Sequence, residues 1–171
     1  TYLVTTSIKS TWPIAGRVDL LGSWCQDNME NSSDECVESR VIPYHWDDRE
    51  RLFHDYLYLK QLHEDLLSEL RSQLNKFHGV ERSERYWRIV LGPWLNWVLP
   101  VLLDRWTSIE RYKSLEGPSK TIVLTGTASY SPPNDMTEFM PMVDDPYWNH
   151  CLYAELIEHR SEIELLVVRG P

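Results

Sequence analysis

The chain has 171 residues, 42% hydrophobic and 25% charged, which suits one sizeable core and excludes a disordered chain. Its formal net charge of -9 argues against nucleic acid as the main partner, because binding a phosphate backbone relies on clustered Lys and Arg. Three cysteines without a CxxC spacing, Cys25, Cys36 and Cys151, signal neither a disulfide framework nor a zinc site and fit a reducing compartment.

Tyr2 to Thr6 is a short β-prone run and Val18 to Gly22 a second, with Trp12-Pro13 and Gly16 between them. Residues 26–39 are polar and acidic and predict a loop, with a weak helix inside it as the alternative. Val41 to His45 reads as a third strand, at an edge or ending at Pro43, which has no ladder donor. From Asp48 to Phe77, Leu52, Tyr56, Leu59, Leu62, Leu66, Leu70, Leu74 and Phe77 advance by three or four residues. That spacing predicts one amphipathic helix, capped by Asp47 or Asp48 and ended by Gly79.

A second helix is expected from Ser83 to about Tyr112. It contains Tyr86 to Trp106, a segment with four of the eight tryptophans and no charge between Arg88 and Asp104. Apolar side chains there point in nearly every direction, which predicts a buried core helix. The uncharged run of 15 residues is shorter than the roughly 20 that a membrane span needs. Proline chemistry predicts a break near Gly92 and a kink around Pro100. A narrow polar strip survives at Arg85, Arg88, Gly92 and Asn96, so Arg88 either points into a cleft or pairs with a carboxylate. The competing reading of the segment is a Trp-rich surface that meets a bilayer interface.

Thr121 to Thr125 is a near-continuous apolar strand of the buried, parallel kind. Residues 126–144 read as a long Gly, Ser and Pro-rich loop. Asp145 to Arg160 predicts a helix with Pro146 in its first turn and Leu152, Tyr153, Leu156 and Ile157 on its buried side. Ile163 to Val168 closes as a strand. Strands alternating with helices indicate an α/β domain with a mostly parallel sheet and flanking helices. The last strand leaves little room for a covering helix, which suggests the first half of something larger.

In open α/β sheets ligands bind beyond the carboxyl ends of the strands. That rule selects Thr5, Thr6 and Ser7; Ser23, Trp24 and Cys25; His45 to Asp48; and Gly126, Thr127, Ser129 and Tyr130. Hydroxyls and indoles in this mixture suit a polyhydroxylated ligand. His45-Trp46-Asp47-Asp48-Arg49 is the densest group with acid–base potential. Against that stands the local reading, in which one Asp caps the helix and His45 bonds nearby. No further His or Cys at a telling spacing supports a metal site. His54 and His63 are expected in solvent, His150 and His159 do not share a helix face, and Cys25 is either a nucleophile or a buried filler. GxSxG, Walker and GxGxxG patterns are missing.

Several strings, taken in order, carry a resemblance: Leu3 to Thr6, Thr11-Trp12-Pro13, Leu21 to Cys25, Val41 to Arg49, Asp55 to Leu59, and Arg85 to Leu95. The chain resembles, over most of residues 2–160, the N-terminal part of a transferase family encoded in bacterial O-antigen and surface-polysaccharide clusters. Its members are longer, and their later region resembles the nucleotide-sugar half of two-domain GT-B glycosyltransferases. The resemblance implies that residues 1–171 form a single Rossmann-like, acceptor-side domain of a longer enzyme, inactive alone. It implies a nucleotide-sugar donor as substrate with no other cofactor, a glycan or lipid-linked glycan acceptor, and a missing C-terminal donor-binding half. It also implies a cytoplasmic location, with peripheral contact at the inner face of the membrane. On this reading His45, Asp47 and Arg88 orient or deprotonate the acceptor. Trp24 and Trp46 serve as packing platforms, and Thr6, Asp48, Arg49, Thr127 and Ser129 contact substrate. Two alternatives remain: a non-catalytic scaffolding domain that uses the Trp-rich segment, and a small hydrolase working through His45 and Asp47.

Overall fold

Short apolar strands set side by side build the sheet of this computed structural model, which describes residues 1–26, 38–115, 119–125, 132–159 and 163–170. The strands are β1 (Tyr2–Val4), β2 (Val18–Leu20), β3 (Ser39–Val41), β4 (Ser119–Thr125) and β5 (Ile163–Arg169). They form one sheet in the order β3-β2-β1-β4-β5, and every pairing is parallel. The helices are α1 (Arg49–His78), α2 (Glu84–Leu115), α3 (Met136–Met142) and α4 (Pro146–Glu158). The fold is therefore the expected Rossmann-like α/β arrangement. The β3 edge is short and lies earlier than the predicted Val41 to His45: it covers Ser39–Val41, because Pro43 has no ladder donor, and His45–Asp47 form a 3-10 turn instead.

The chain divides into two compact units, Thr1–Tyr44 with Arg105–Pro171, and His45–Asp104. In the first, Leu3, Val4, Val18, Leu20, Ile109, Tyr112, Tyr153 and Ile157 belong to one buried cluster. Cys25 sits in it as a filler, its thiol directed at the Val4 carbonyl at 3.4 Å. Asp19 is buried in the middle of β2, and its charge is met by Arg40 from β3, with Nε 3.1 Å from Oδ1. A helix, α3, lies within residues 126–144, which had read as a loop. The reason is a reciprocal cap at capping-box spacing: Asp135 accepts from the Glu138 N–H, and the Glu138 carboxylate accepts from the N–H of Asn134, the residue before the cap. The helix α4 starts at Pro146 with Asp145 as its cap, as predicted.

The second unit is built on α1 and the part of α2 up to Asp104. Asp48 caps α1, accepting from the N–H groups of Glu50 and Arg51, and Gly79 ends it in the left-handed conformation at φ 63°. Asn75 fastens the turn between the helices, exchanging two hydrogen bonds with the Arg82 backbone and accepting from the Trp87 indole. Two expectations need correction. Helix α2 does not break at Gly92; Pro93 and Pro100 both lie inside it, because helical turns propagate on both sides and Trp87, Leu95 and Val98 are packed. Nor is it buried all round: Trp97 is 52% exposed, and Ile89 and Val90 are also exposed. On α1 the wholly buried residue is Leu67, whereas Phe77 is 82% exposed. Among the described residues, no helix is long and apolar enough to cross a membrane.

Candidate functional site

In the first unit β2 and β3 lie on one side of β1, and β4 and β5 on the other, so strand order reverses between β1 and β4. Such a switch point is where an open parallel sheet leaves a crevice. The two strands share a single bridge, Tyr2 opposite Lys120. Past it, Thr5, Thr6 and Ser7 continue β1 and are buried. A cavity of about 360 Å³ opens there, lined by Thr6, Ser7, Trp24, Arg105, Asp144 and Asn149 among others. The volume falls within the roughly 300–1,000 Å³ of small-molecule sites.

Each wall is fixed by a local cause. The Trp24 indole donates to the Thr5 carbonyl at 3.0 Å and meets Tyr44 edge-on. Its ring occupies the space where a Cβ on residue 22 would stand, so only glycine fits at Gly22. Arg105 donates through Nε to the Asn149 carboxamide at 2.9 Å and through Nη2 to the Val143 carbonyl at 3.3 Å. Asn149 in turn donates to the carbonyls of Val143 and Asp145. Thr6 is 2% exposed, and its hydroxyl has no hydrogen-bond partner among the described residues. A buried hydroxyl left this way costs free energy.

His150 of α4 explains how the strands part. The N–H of Lys120 bonds to the carbonyl of Thr1, so the N–H groups of β4 at alternate positions, including Leu124, face β1. Leu124 does not find a strand there; its N–H donates to Nε2 of His150 at 3.1 Å. The imidazole thus takes the place of a ladder acceptor and must be unprotonated at that nitrogen. Burial pushes the His150 pKa below its ordinary value, which favours this neutral form.

The other predicted residues lie in the second unit. His45 is 1% exposed, with Nε2 3.5 Å from Oδ1 of Asp104, and its ring packs on Trp46. The Trp46 indole donates to Asp55 at 2.8 Å. Asp47 and Arg49 are exposed, and Asp48 serves as the helix cap. Arg88 pairs with carboxylates: both terminal nitrogens reach Glu64 at 2.6 Å, and Nη2 also reaches Glu84 at 3.0 Å. These bonds lower the Glu64 pKa to about 2, chiefly through the hydrogen bonds from Arg88. His63, expected in solvent, is instead half-buried, 3.3 Å from Glu64 and 3.4 Å from the Gly92 carbonyl. Thr127 and Ser129 lie outside the described residues.

Of the predicted substrate residues, then, the crevice brings Thr6 and Trp24 together, and His45, Asp47 and Arg88 belong to the other unit. Reading the sequence missed Arg105, Asp144 and Asn149. One signal for Asn149 was available, since it falls within the first turn after the Asp145-Pro146 cap, on the side that faces the strand ends. Among the described residues no group of three or more His, Cys, Asp or Glu could hold a metal ion. Comparison with curated proteins and with solved structures gives no match. A family model matches residues 1–168, nearly the whole chain, and on that match the protein belongs to the LIC12162 family transferases.

Proposed function

We propose that this transferase moves a sugar, and that residues 1–171 supply the side of the enzyme that holds the acceptor. The observation that carries the reading is the crevice at the β1/β4 switch point, lined by a fixed indole and by Thr6, whose buried hydroxyl has no partner among the described residues. A pyranose ring offers an apolar face to pack on Trp24 and hydroxyls to bond Thr6, Ser7 and Asn149. Glycosyl transfer breaks the bond from the anomeric carbon to the leaving phosphate oxygen and forms one to the acceptor oxygen. The acceptor proton passes to a base. Asp144, an exposed carboxylate on the crevice wall, is the candidate nearest that chemistry in this unit. His45 with Asp104 remains the acid–base pair of the other unit, where Asp47 and the anchored Arg88 help to orient the acceptor. The activated nucleotide sugar is held by residues outside this stretch, and the work is done at the inner face of the bacterial membrane. No nucleic acid takes part.

A tryptophan-fluorescence titration tests this. Surface glycans or lipid-linked saccharides should bind, and Trp24→Ala should weaken them by about tenfold or more, in line with the loss of an aromatic stacking contact. Thr6→Val should weaken them less. Binding of nucleotide sugars with no response to glycans would reverse the division of labour. Silence towards both would favour a second reading, a scaffolding domain, for which the exposed Trp97, Ile89 and Val90 are the supporting observation.

A further inference from the structure

The second unit carries a groove of its own, about 710 Å³, between α1 and α2. Tyr56, Lys60 and His63 line it from α1, and Pro93, Asn96 and Pro100 from α2. On α2 its lining runs from Arg88 to Pro100. At 1.5 Å per residue that is about 18 Å, so the groove is long rather than round. Leu59, Leu95, Leu99 and the two prolines make its floor apolar. Both prolines lack an N–H, which leaves the carbonyls of Ile89 and Asn96 without their ordinary helical donors. The apolar surface does not stop at the groove: Ile89, Val90 and Trp97 extend it along the exposed side of α2.

Charge is distributed unevenly over this surface. Arg88 is held by two carboxylates, Glu64 and Glu84, so its positive charge is more than met. Lys60, in contrast, is exposed and has no ion pair or hydrogen bond among the described residues. An elongated apolar trough beside one unmatched ammonium fits a ligand with a hydrocarbon chain and an anionic head.

We propose that the groove between α1 and α2 binds a lipid phosphate, its chain along Leu59, Leu95, Leu99 and the prolines and its phosphate on Lys60. In the context of the glycosyl-acceptor reading, on which this last step rests, it is the subsite for the lipid of a lipid-linked acceptor.

Farnesyl phosphate, kept below the concentration at which it aggregates, is the probe, titrated into the chain by calorimetry. Farnesol, inorganic phosphate and vesicles of phosphatidylcholine with phosphatidylglycerol serve as the other arms. Farnesyl phosphate should bind more tightly than farnesol, and inorganic phosphate should not bind measurably. Lys60→Glu should weaken the phosphate by about three- to tenfold and leave farnesol unchanged, as expected for an exposed ion pair. Asn96→Trp, at an exposed helical position, should fill the groove and remove both ligands without lowering the melting temperature. Farnesyl phosphate that binds equally to the native chain and both variants would overturn the proposal. So would binding to vesicles alone, which would mean a bilayer-facing surface rather than a site for one chain, and so would no binding at all. If lipid binding fails while glycans still bind through Trp24, only this subsite is lost. If the lipid binds and glycans do not, the sugar-transfer reading falls and the lipid site stands.

Discussion

The carboxyl end of β1 and the α1/α2 hairpin both carry polar residues beside apolar ones, yet they hold them by different means. At the strand end the backbone does the positioning: Trp24 bonds a carbonyl, His150 accepts from a strand N–H, and Asn149 bonds two carbonyls. On the hairpin, beside the local backbone bonds of Asp48 and Asn75, the anchors are side chain to side chain, Arg88 to Glu64 and Trp46 to Asp55. Backbone partners are implied wherever a strand is recognised. Side-chain partners 24 residues apart are not. Thr6 and Trp24 could accordingly be picked out as strand-end residues, whereas nothing in the local pattern joined Glu64 to Arg88.

The largest effect that sharpens this contrast concerns the helix itself. Leu67 is 0% exposed, so Leu67→Ala should cost about 2–5 kcal/mol in urea unfolding. Phe77→Ala should stay within about 0.5 kcal/mol, as surface changes do. Spacing alone ranks them the other way, because Phe77 continues the three-and-four series and Leu67 stands one residue off it. Similar losses for both variants would mean that the periodic face, and not Leu67, carries the packing.

The strand end should respond to a single methyl group. Gly22→Ala places a Cβ where the Trp24 ring lies, and the ring must move. Overpacking of this kind costs about 1–3 kcal/mol. Loss of the indole bond to Thr5 should also shift the Trp24 emission, read as the difference from a Trp24→Phe background. An unchanged emission maximum with full stability would show that Trp24 is not locked by Gly22, and the crevice would then lack its fixed wall.

Legibility followed the same line. Four of the five strands, the parallel class and the ends of α1 and α4 were readable, because alternation, caps and Gly79 act over a few residues, whereas β3 lies at Ser39–Val41 and shares only Val41 with the run from Val41 to His45. Helix α3 was missed although Asp135 and Glu138 stand at capping-box spacing, since the prolines around them dominated the reading. The exposure of Trp97 was missed for a different reason: an apolar helix surface shows that burial is favourable, not that a partner exists. Arg105 and Asn149 meet across 44 residues, a distance that no local rule spans.

A smaller, pH-dependent effect belongs to His150. Its pKa is lowered by burial in the folded chain, so the unfolded chain takes up the proton first as pH falls. Stability should be complete above about pH 6.5, the ordinary histidine value, and decline as pH drops through the interval towards the folded pKa. His150→Gln keeps an acceptor for the Leu124 N–H and removes the titration. Urea midpoints measured from pH 8 to pH 5 should therefore fall more steeply for the native chain than for the variant. Parallel curves would mean that the proton does not compete with the strand for Nε2.

The hairpin should show the smallest effect on stability and the clearest on titration. Glu64 and Arg88 are both about half exposed, so solvent and salt screen their attraction, and removing it should barely move the melting temperature. The carboxyl of Glu64 reports the pair directly, because two short hydrogen bonds from one guanidinium hold it near a pKa of about 2. Carboxyl carbon NMR across an acid titration should place Glu64 well below the other glutamates, and added salt should raise it only in part. Arg88→Gln should return it towards about 4.3. A normal Glu64 titration in the native chain would mean that the Arg88–Glu64 bonds do not persist in solution and that Glu84 alone holds the guanidinium.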